Sequence, residues 1–274
     1  MSAGLRRIAG DLGQVGLTLA LLLLLIAPTL WILIASLRTP EAVFGGLGGG
    51  ITLANFVELL EGGFAIFLFN SLKLCALAVL ATTVVAVPAA YVFSRARWRG
   101  KRILFGAVLL GQCFPWVILV TPVFILFARL GLLNSHLSLA LVYVAIALPF
   151  SIYLLVGYLE SIPREIDEAA ILDGCSPVQV IVLVVLPLML PGIVATATYA
   201  FLLCWSEYLF AVALLTETGQ KTMPLALYTL FGEDVTEWGQ VMAASTLMTL
   251  PTLLLFLPLQ RHLTGGLAAG AIRQ

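Results

Sequence analysis

Glu168-Ala169-Ala170-Ile171-Leu172-Asp173-Gly174 forms the centre of a polar stretch between two apolar segments. From Glu160 to Val182 the pattern predicts two short helices joined by a turn. Ser161 is placed to cap the first helix, with Pro163 tolerated in its first turn. Glu165, Asp167 and Glu168 load its early positions with negative charge, which a helix N-terminus favours. Asp173-Gly174 ends it, because glycine enters the left-handed cap conformation without strain. A side chain at Gly174 is therefore expected to tilt one helix against the other. Ser176 and Gln179 have capping-box spacing, and Pro177 falls at the first position of the second helix. Pro187 and Pro191 mark the return to apolar sequence. A loop that only connected two spans would not need two capped helices, so this one is read as a docking element.

The rest of the chain sets the environment of that element. Hydrophobic residues make up 61% and charged residues 10%, and mean hydropathy is +1.10. These values describe an all-α integral membrane protein. Fourteen basic and fourteen acidic residues cancel, and nothing points to nucleic acid as a partner. Cys75, Cys113, Cys175 and Cys204 have no zinc or disulfide spacing and read as small buried hydrophobes. Arg6 and Arg7 precede an apolar run too long for a cleaved leader, so a retained first span is expected.

Six apolar segments have spanning length: 15–36, 68–93, 103–128, 137–158, 184–214 and 241–259. At about 1.5 Å per residue each crosses a core of about 30 Å. This divides the chain into an N-terminal segment 1–14, a membrane domain 15–259 carrying the docking loop 160–183, and a tail 260–274. Placing both termini in the cytoplasm puts ten of the fourteen Lys and Arg inside, including Arg95, Arg97, Arg99, Lys101 and Arg102. That satisfies the positive-inside rule, and it also puts the Glu168 loop inside. Pro28, Pro88, Pro115, Pro122, Pro149, Pro187, Pro191, Pro251 and Pro258 are expected to bend most spans. Between the last two spans, Met223 to Phe231 reads as a short amphipathic element at the membrane surface.

Candidate functional residues are few. Glu207 is the one acid inside a predicted span, so it should face protein or a water-filled path. Trp205, Tyr208 and Phe210 flank it. An acid among aromatic rings suits a sugar, whose hydroxyls bond the carboxylate and whose apolar faces pack on rings. Asn70 and Ser71 are expected to cap the second span. Gln112 is expected to bond between helices, and His136 to be solvated. No phosphate-binding glycine loop is present, so uphill transport would draw energy from a partner or an ion gradient. No nucleophile, base or metal cluster suggests an enzyme.

Glu168-Ala169-Ala170, Asp173-Gly174 and, thirteen residues beyond that glycine, Pro187 resemble the signature loop of permease subunits of bacterial ABC importers. Ser36 through Glu41, Asn70-Ser71, Trp205 through Ala211, and the tail from Gln260 to Gly270 make the wider chain similar to the carbohydrate branch of maltose-type importers. The resemblance implies the type I importer permease fold in the bacterial inner membrane. It also implies that Glu168, Ala169, Ala170, Asp173, Gly174 and Pro187 couple to an ATPase, with Asn70, Trp205, Glu207, Tyr208 and Phe210 along the substrate path. Implied partners are a second homologous permease, a homodimeric cytoplasmic ATPase, an extracytoplasmic solute-binding protein, membrane lipid and a carbohydrate-like substrate. ATP would be bound by the ATPase, and this chain would carry no cofactor. Val180-Ile181-Val182 departs from the family pattern, which has an aromatic and often a basic residue there, so the docking contact should be more apolar. Ser206 stands where the family commonly has Asn. An ion-coupled secondary transporter is the competing reading, with Glu207 as its ion-binding carboxylate.

Overall fold

The computed structural model describes residues 3–39, 42–43, 50–231 and 236–271, with side chains described between 13 and 257. Pro40, Glu41, Glu233, Asp234 and Arg273, and the side chains of Arg6, Arg7 and the Gln260–Gly270 tail, lie outside the described residues. Two compact units divide the chain, Met1–Phe64 with Leu227–Thr249, and Ala65–Ala226 with Leu250–Gln274.

In the first unit, α1 (Ala3–Ser36) is an apolar helix with Pro28 inside it. Its end is tied to the short α2 (Ala54–Glu61) by Asn55, whose Nδ2 donates to Ser36 O at 2.9 Å and Arg38 O at 2.8 Å. An isolated bridge between Arg38 and Ile51 closes the intervening loop.

The second unit carries α3 (Ala65–Arg95), α4 (Lys101–Leu110), α5 (Trp116–Arg129), α6 (His136–Glu160), α7 (Glu165–Leu172), α8 (Pro177–Trp205) and α9 (Leu209–Leu214). The helix α10 (Met223–Thr229) follows within the stretch read as a short amphipathic element, with Met223, Leu225 and Ala226 buried. The last helix, α11, runs from Trp238 to Ala271. The core of the second unit is a bundle of α3, α6 and α8. Ala86, Ala90, Leu155, Leu159, Val185 and Met189 are almost fully buried at its heart.

Among the described residues, five helices are long and apolar enough to cross a membrane, and a bent pair supplies the sixth apolar segment. That pair corrects the expected third span. α4 with its short 3₁₀ extension meets α5 at 95°, where Phe114 is extended (φ −76°, ψ 130°) ahead of Pro115. Proline disfavours helical backbone in the residue before it and removes a donor, so continuous apolar sequence did not mean a continuous helix. Gln112 does bond between helices, donating from Nε2 to Ile146 O at 2.9 Å, one turn before Pro149.

The expected fifth span, 184–214, is shifted. The second docking helix is not separate from it, since α8 starts at Pro177 and runs unbroken to Trp205. The join is a π-helical stretch, Val180–Val185, in which Leu186 N–H bonds Ile181 O five residues back. This wide turn lies directly ahead of Pro187, whose ring crowds the carbonyl four residues before it. α8 then stops at Ser206, and α9 is a distinct helix.

Candidate functional site

The docking element is a helix-turn-helix in which every cap but one follows the residue pattern. Glu165, Asp167 and Glu168 occupy the first turn of α7. Gly174 closes it with φ +89°, and Cys175 N–H returns to Ala170 O at 3.0 Å. Ser176 and Gln179 form the reciprocal capping box, with Pro177 in the first turn of α8. The exception is Ser161. It ends α6 rather than starting α7, and its hydroxyl donates to Tyr158 O at 2.6 Å. Arg164 takes the N-cap position of α7 without a side-chain capping bond. A Cβ built at Gly174 meets no atom within 4 Å, so a substitution there costs backbone strain and does not clash.

Burial divides the loop into an anchor and a face. Ala170, Val180 and Asp167 are buried, and the first two pack on Phe93, Leu159 and Met189 of the bundle. Glu168, Ala169, Asp173, Gly174 and Pro187 are exposed. So are Ile171, Val178 and Leu172, the last at 87%. The exposed apolar residues of the rim, Ile171, Leu172 and Val178, precede Gln179; of the aliphatic run after it, Val180 is buried and Val182 is exposed.

The anchor includes an ion pair that sequence patterns did not indicate. Arg95 Nε lies 2.6 Å from Asp167 Oδ2, with both side chains more than nine-tenths buried. Arg95 Nη2 also donates to Ile162 O at 2.9 Å. Arg164 Nη2 donates to Ser94 O at 2.7 Å, and Lys101 Nζ to the same carbonyl at 3.1 Å. Three cations thus gather at the C-terminus of α3, where the helix dipole favours them. Arg95 and Arg164 fasten α7 to the bundle.

The opposite end of the bundle is held by amides. α3 begins at Ala65, so Asn70 does not cap it as expected. Asn70 Nδ2 donates to Gly219 O at 2.9 Å and Lys221 O at 3.0 Å, and Ser71 Oγ accepts from Met223 N at 2.7 Å. His136 is not merely solvated, because its Nε2–H donates to Gln220 O at 3.0 Å. Asn134 has a left-handed backbone (φ 55°). Its Oδ1 accepts from Thr216 N at 2.6 Å and Glu217 N at 3.0 Å. Nothing in the sequence singled out Asn134. The signal available was its position after Gly131 in a short loop, where Asn tolerates positive φ. Residues 216–223 are thus pinned from three directions. Asn70→Ala is expected to leave two part-buried carbonyls without their protein donor, costing about 0.5–1.5 kcal/mol. Limited proteolysis should then cut between Thr216 and Lys221 several times faster than in wild type; an unchanged rate would mean the other anchors suffice.

The aromatic cluster around Glu207 is less open than its composition implies. Trp205 and Phe210 are buried, with Trp205 stacked on Phe201 at 5.4 Å. Tyr208 and Glu207 keep intermediate exposure. Glu207 Oε1 accepts from Phe210 N at 2.8 Å and Oε2 from Ala211 N at 3.2 Å. The buried Tyr143 hydroxyl also bonds this carboxylate. Glu207 therefore lies in the break between α8 and α9, not inside a span, and caps α9. Side-chain bonding to local N–H groups competes with helix continuation, which explains the break in an otherwise apolar run. Glu207→Gln keeps one acceptor oxygen and loses the other. It is expected to lower the yield of folded chain while uptake per assembled transporter stays near wild type. Normal yield with impaired uptake would instead assign Glu207 to ligand contact.

Two cysteines, Cys75 and Cys204, are buried as expected; Cys113 is exposed and Cys175 intermediate. Cys113 ends the short 3₁₀ turn just ahead of the bend at Pro115.

Residues 82–268 match the family of binding-protein-dependent transport system inner membrane components. The chain belongs to that family. It is a multi-pass inner-membrane transport component. The trehalose/maltose transport system permease protein MalG of Thermococcus litoralis is 31% identical over 252 residues, 90% of this chain and 91% of that protein. The diacetylchitobiose uptake system permease protein DasC of Streptomyces coelicolor is 34% identical over 227 residues, 81% of each. In fold the chain is similar to a bacterial ABC transporter involved in alginate import, with TM-score 0.78 and 23% identity over 95% of this chain and 98% of that one.

Proposed function

We propose that this chain is a permease subunit of an ATP-driven importer for a carbohydrate or related polyol. The relatives named for trehalose/maltose and diacetylchitobiose uptake support the substrate class. The observation that carries the coupling role is the division of the α7–α8 turn. Ala170, Val180 and Asp167 fix it to the bundle, while Ala169, Leu172, Gly174 and Val178 form an exposed, largely apolar face beside the exposed acid Glu168. A rigidly anchored, outward-facing knob can transmit motion, whereas a loose loop would absorb it. The occupant is a homodimeric cytoplasmic ATPase, which binds the ATP. The termini and this loop lie on the cytoplasmic side. A second homologous permease completes the path, and an extracytoplasmic solute-binding protein delivers the substrate. ATP-driven closure of the ATPase carries the loop with it and biases the spans from inward-open to outward-open.

Along the path, Tyr208 supplies the accessible aromatic face. Glu207 orients it by capping α9, and Trp205, Phe210 and Asn70 form the scaffold behind it. An ion-coupled mechanism has less support, because the Glu207 carboxylate already accepts two backbone N–H groups.

Glu168→Lys tests the proposal. The exposed acid is available to pair with a cation on the ATPase, and reversing its charge also opposes the α7 dipole. In the reconstituted complex, ATPase stimulation by the binding protein is expected to fall at least tenfold with assembly preserved. Stimulation at the wild-type level would make Glu168 a solvated residue. Failure of any ATPase to co-purify with the wild-type chain would remove the coupling role altogether.

A further inference from the structure

The loop between α3 and α4, Ala96-Arg97-Trp98-Arg99-Gly100, has no role in the anchor or in the docking face. No Asp or Glu occurs between Glu61 and Glu160, yet five cations fall within Arg95–Arg102. Two of the five are committed inside the protein, Arg95 to Asp167 and Lys101 to Ser94 O. Among the described residues, Arg97, Arg99 and Arg102 hold no ion pair or hydrogen bond, and all three are exposed. Gly100, with φ +89°, turns the chain so that Trp98 folds back against it. The turn leaves a surface depression lined by Arg97, Trp98, Lys101, Arg102 and Ile103. Directly beyond the charges the surface becomes apolar, with Val92, Ile103 and Leu104 exposed.

We infer that this depression binds the headgroup of an anionic phospholipid. Arg97 and Arg102 bond its phosphate, Trp98 lies at the headgroup level, and the acyl chains run along Val92, Ile103 and Leu104. The order of chemistry matches a lipid and no soluble anion. Cations come first, then an amphipathic ring, then aliphatic side chains on a span that faces the membrane. Arginine suits the site because its planar fork bonds phosphate oxygens in pairs. If the cluster acted only to orient the chain during insertion, it would need neither the aromatic ring nor a depression. A bound lipid here would lie beside Ser94 and Arg95, which fasten α7, so lipid composition is expected to alter how firmly the docking loop is held.

The test is lipid retention by the full-length chain, purified with its co-purifying subunits and examined by native mass spectrometry. The probes are dioleoyl phosphatidylglycerol and dioleoyl phosphatidylcholine. Wild type is expected to retain the anionic lipid at least tenfold better. Each cation near an anionic surface is worth about fivefold in affinity, so Arg97→Gln/Arg99→Gln/Arg102→Gln together should lose roughly a hundredfold. Arg102→Gln alone, which leaves most of the topology signal intact, should lose roughly fivefold. The triple Arg→Lys variant, which keeps charge and orientation, should retain the preference for phosphatidylglycerol. Equal retention of the two lipids by wild type would overturn the inference, as would full retention by the triple Gln variant. Displacement of the lipid by millimolar glycerol 3-phosphate would also overturn it, by showing a soluble-phosphate site. A loss of a co-purifying subunit in the triple variant, with lipid retention unchanged, would assign the patch to protein contact and overturn it too.

Discussion

Asp167→Ala is expected to be among the most damaging single substitutions in this chain, although Asp167 touches neither the exposed docking face nor the Glu207 cluster. Removing the carboxylate leaves the Arg95 guanidinium buried with only the Ile162 carbonyl to receive it. Breaking a buried pair by deleting one partner costs about 3–5 kcal/mol, because the remaining charge is uncompensated. Arg95 cannot shed its proton to escape. The cheapest relaxation is for the guanidinium to swing toward solvent, which frees Ile162 O and lets α7 lift from the bundle. The unfolding midpoint of the purified chain should drop by several degrees, and capture of the co-purifying ATPase should fall with it. The double variant Arg95→Met/Asp167→Leu removes both charges and refills the volume. It is expected to recover most of the lost stability, since replacing a buried pair by apolar residues is often neutral. A cost below about 1 kcal/mol for Asp167→Ala would show that the pair is solvated and that α7 is held by Ala170 packing alone.

This ion pair also shows where sequence reading stopped. The local signals in the docking element were legible because each is a short-range event. Gly174, the acidic first turn of α7 and the Ser176–Gln179 box involve partners within four residues. Ser161 was misread for the same reason. Its residue type fits an N-cap, but the competing option, closing α6 by bonding Tyr158 O, depends on where α6 ends. Hydropathy located the apolar segments but did not register breaks within them. The bend at Phe114-Pro115 and the stop at Ser206 both lie in apolar sequence, and only the proline advertised one of them. Long-range partners had no signal at all. Arg95 finds Asp167, Asn70 finds Gly219, and Asn134 finds Thr216 through the packing of α3, α6 and α8, which no periodicity encodes.

Gly192→Ala is expected to disrupt that packing at its tightest point. A Cβ on Gly192 of α8 would fall 2.5 Å from Tyr158 Cγ and 2.8 and 2.9 Å from its two Cδ atoms, on α6. These are the near atoms of the ring, not its flexible end, so rotating the side chain does not clear them. Either Tyr158 leaves its rotamer or α6 and α8 separate. Overpacking of this kind costs about 1–3 kcal/mol, and close helix approach through a small residue is what holds such bundles together in lipid. The damage should spread to the docking loop. Tyr158 O accepts both the backbone N–H and the hydroxyl of Ser161, which close α6 ahead of α7. Gly192→Ala should therefore lower both the thermal midpoint and the transport rate per ATP hydrolysed. Tyr158→Ala in the same chain removes the obstructing ring and is expected to restore the midpoint, because the new methyl then occupies part of the vacated space. If Gly192→Ala alone were as stable as wild type, α6 and α8 would not meet as closely as the structure places them. If Tyr158→Ala restored stability without restoring coupling, the Tyr158 ring itself, beyond its packing, would be part of the link between the bundle and α7.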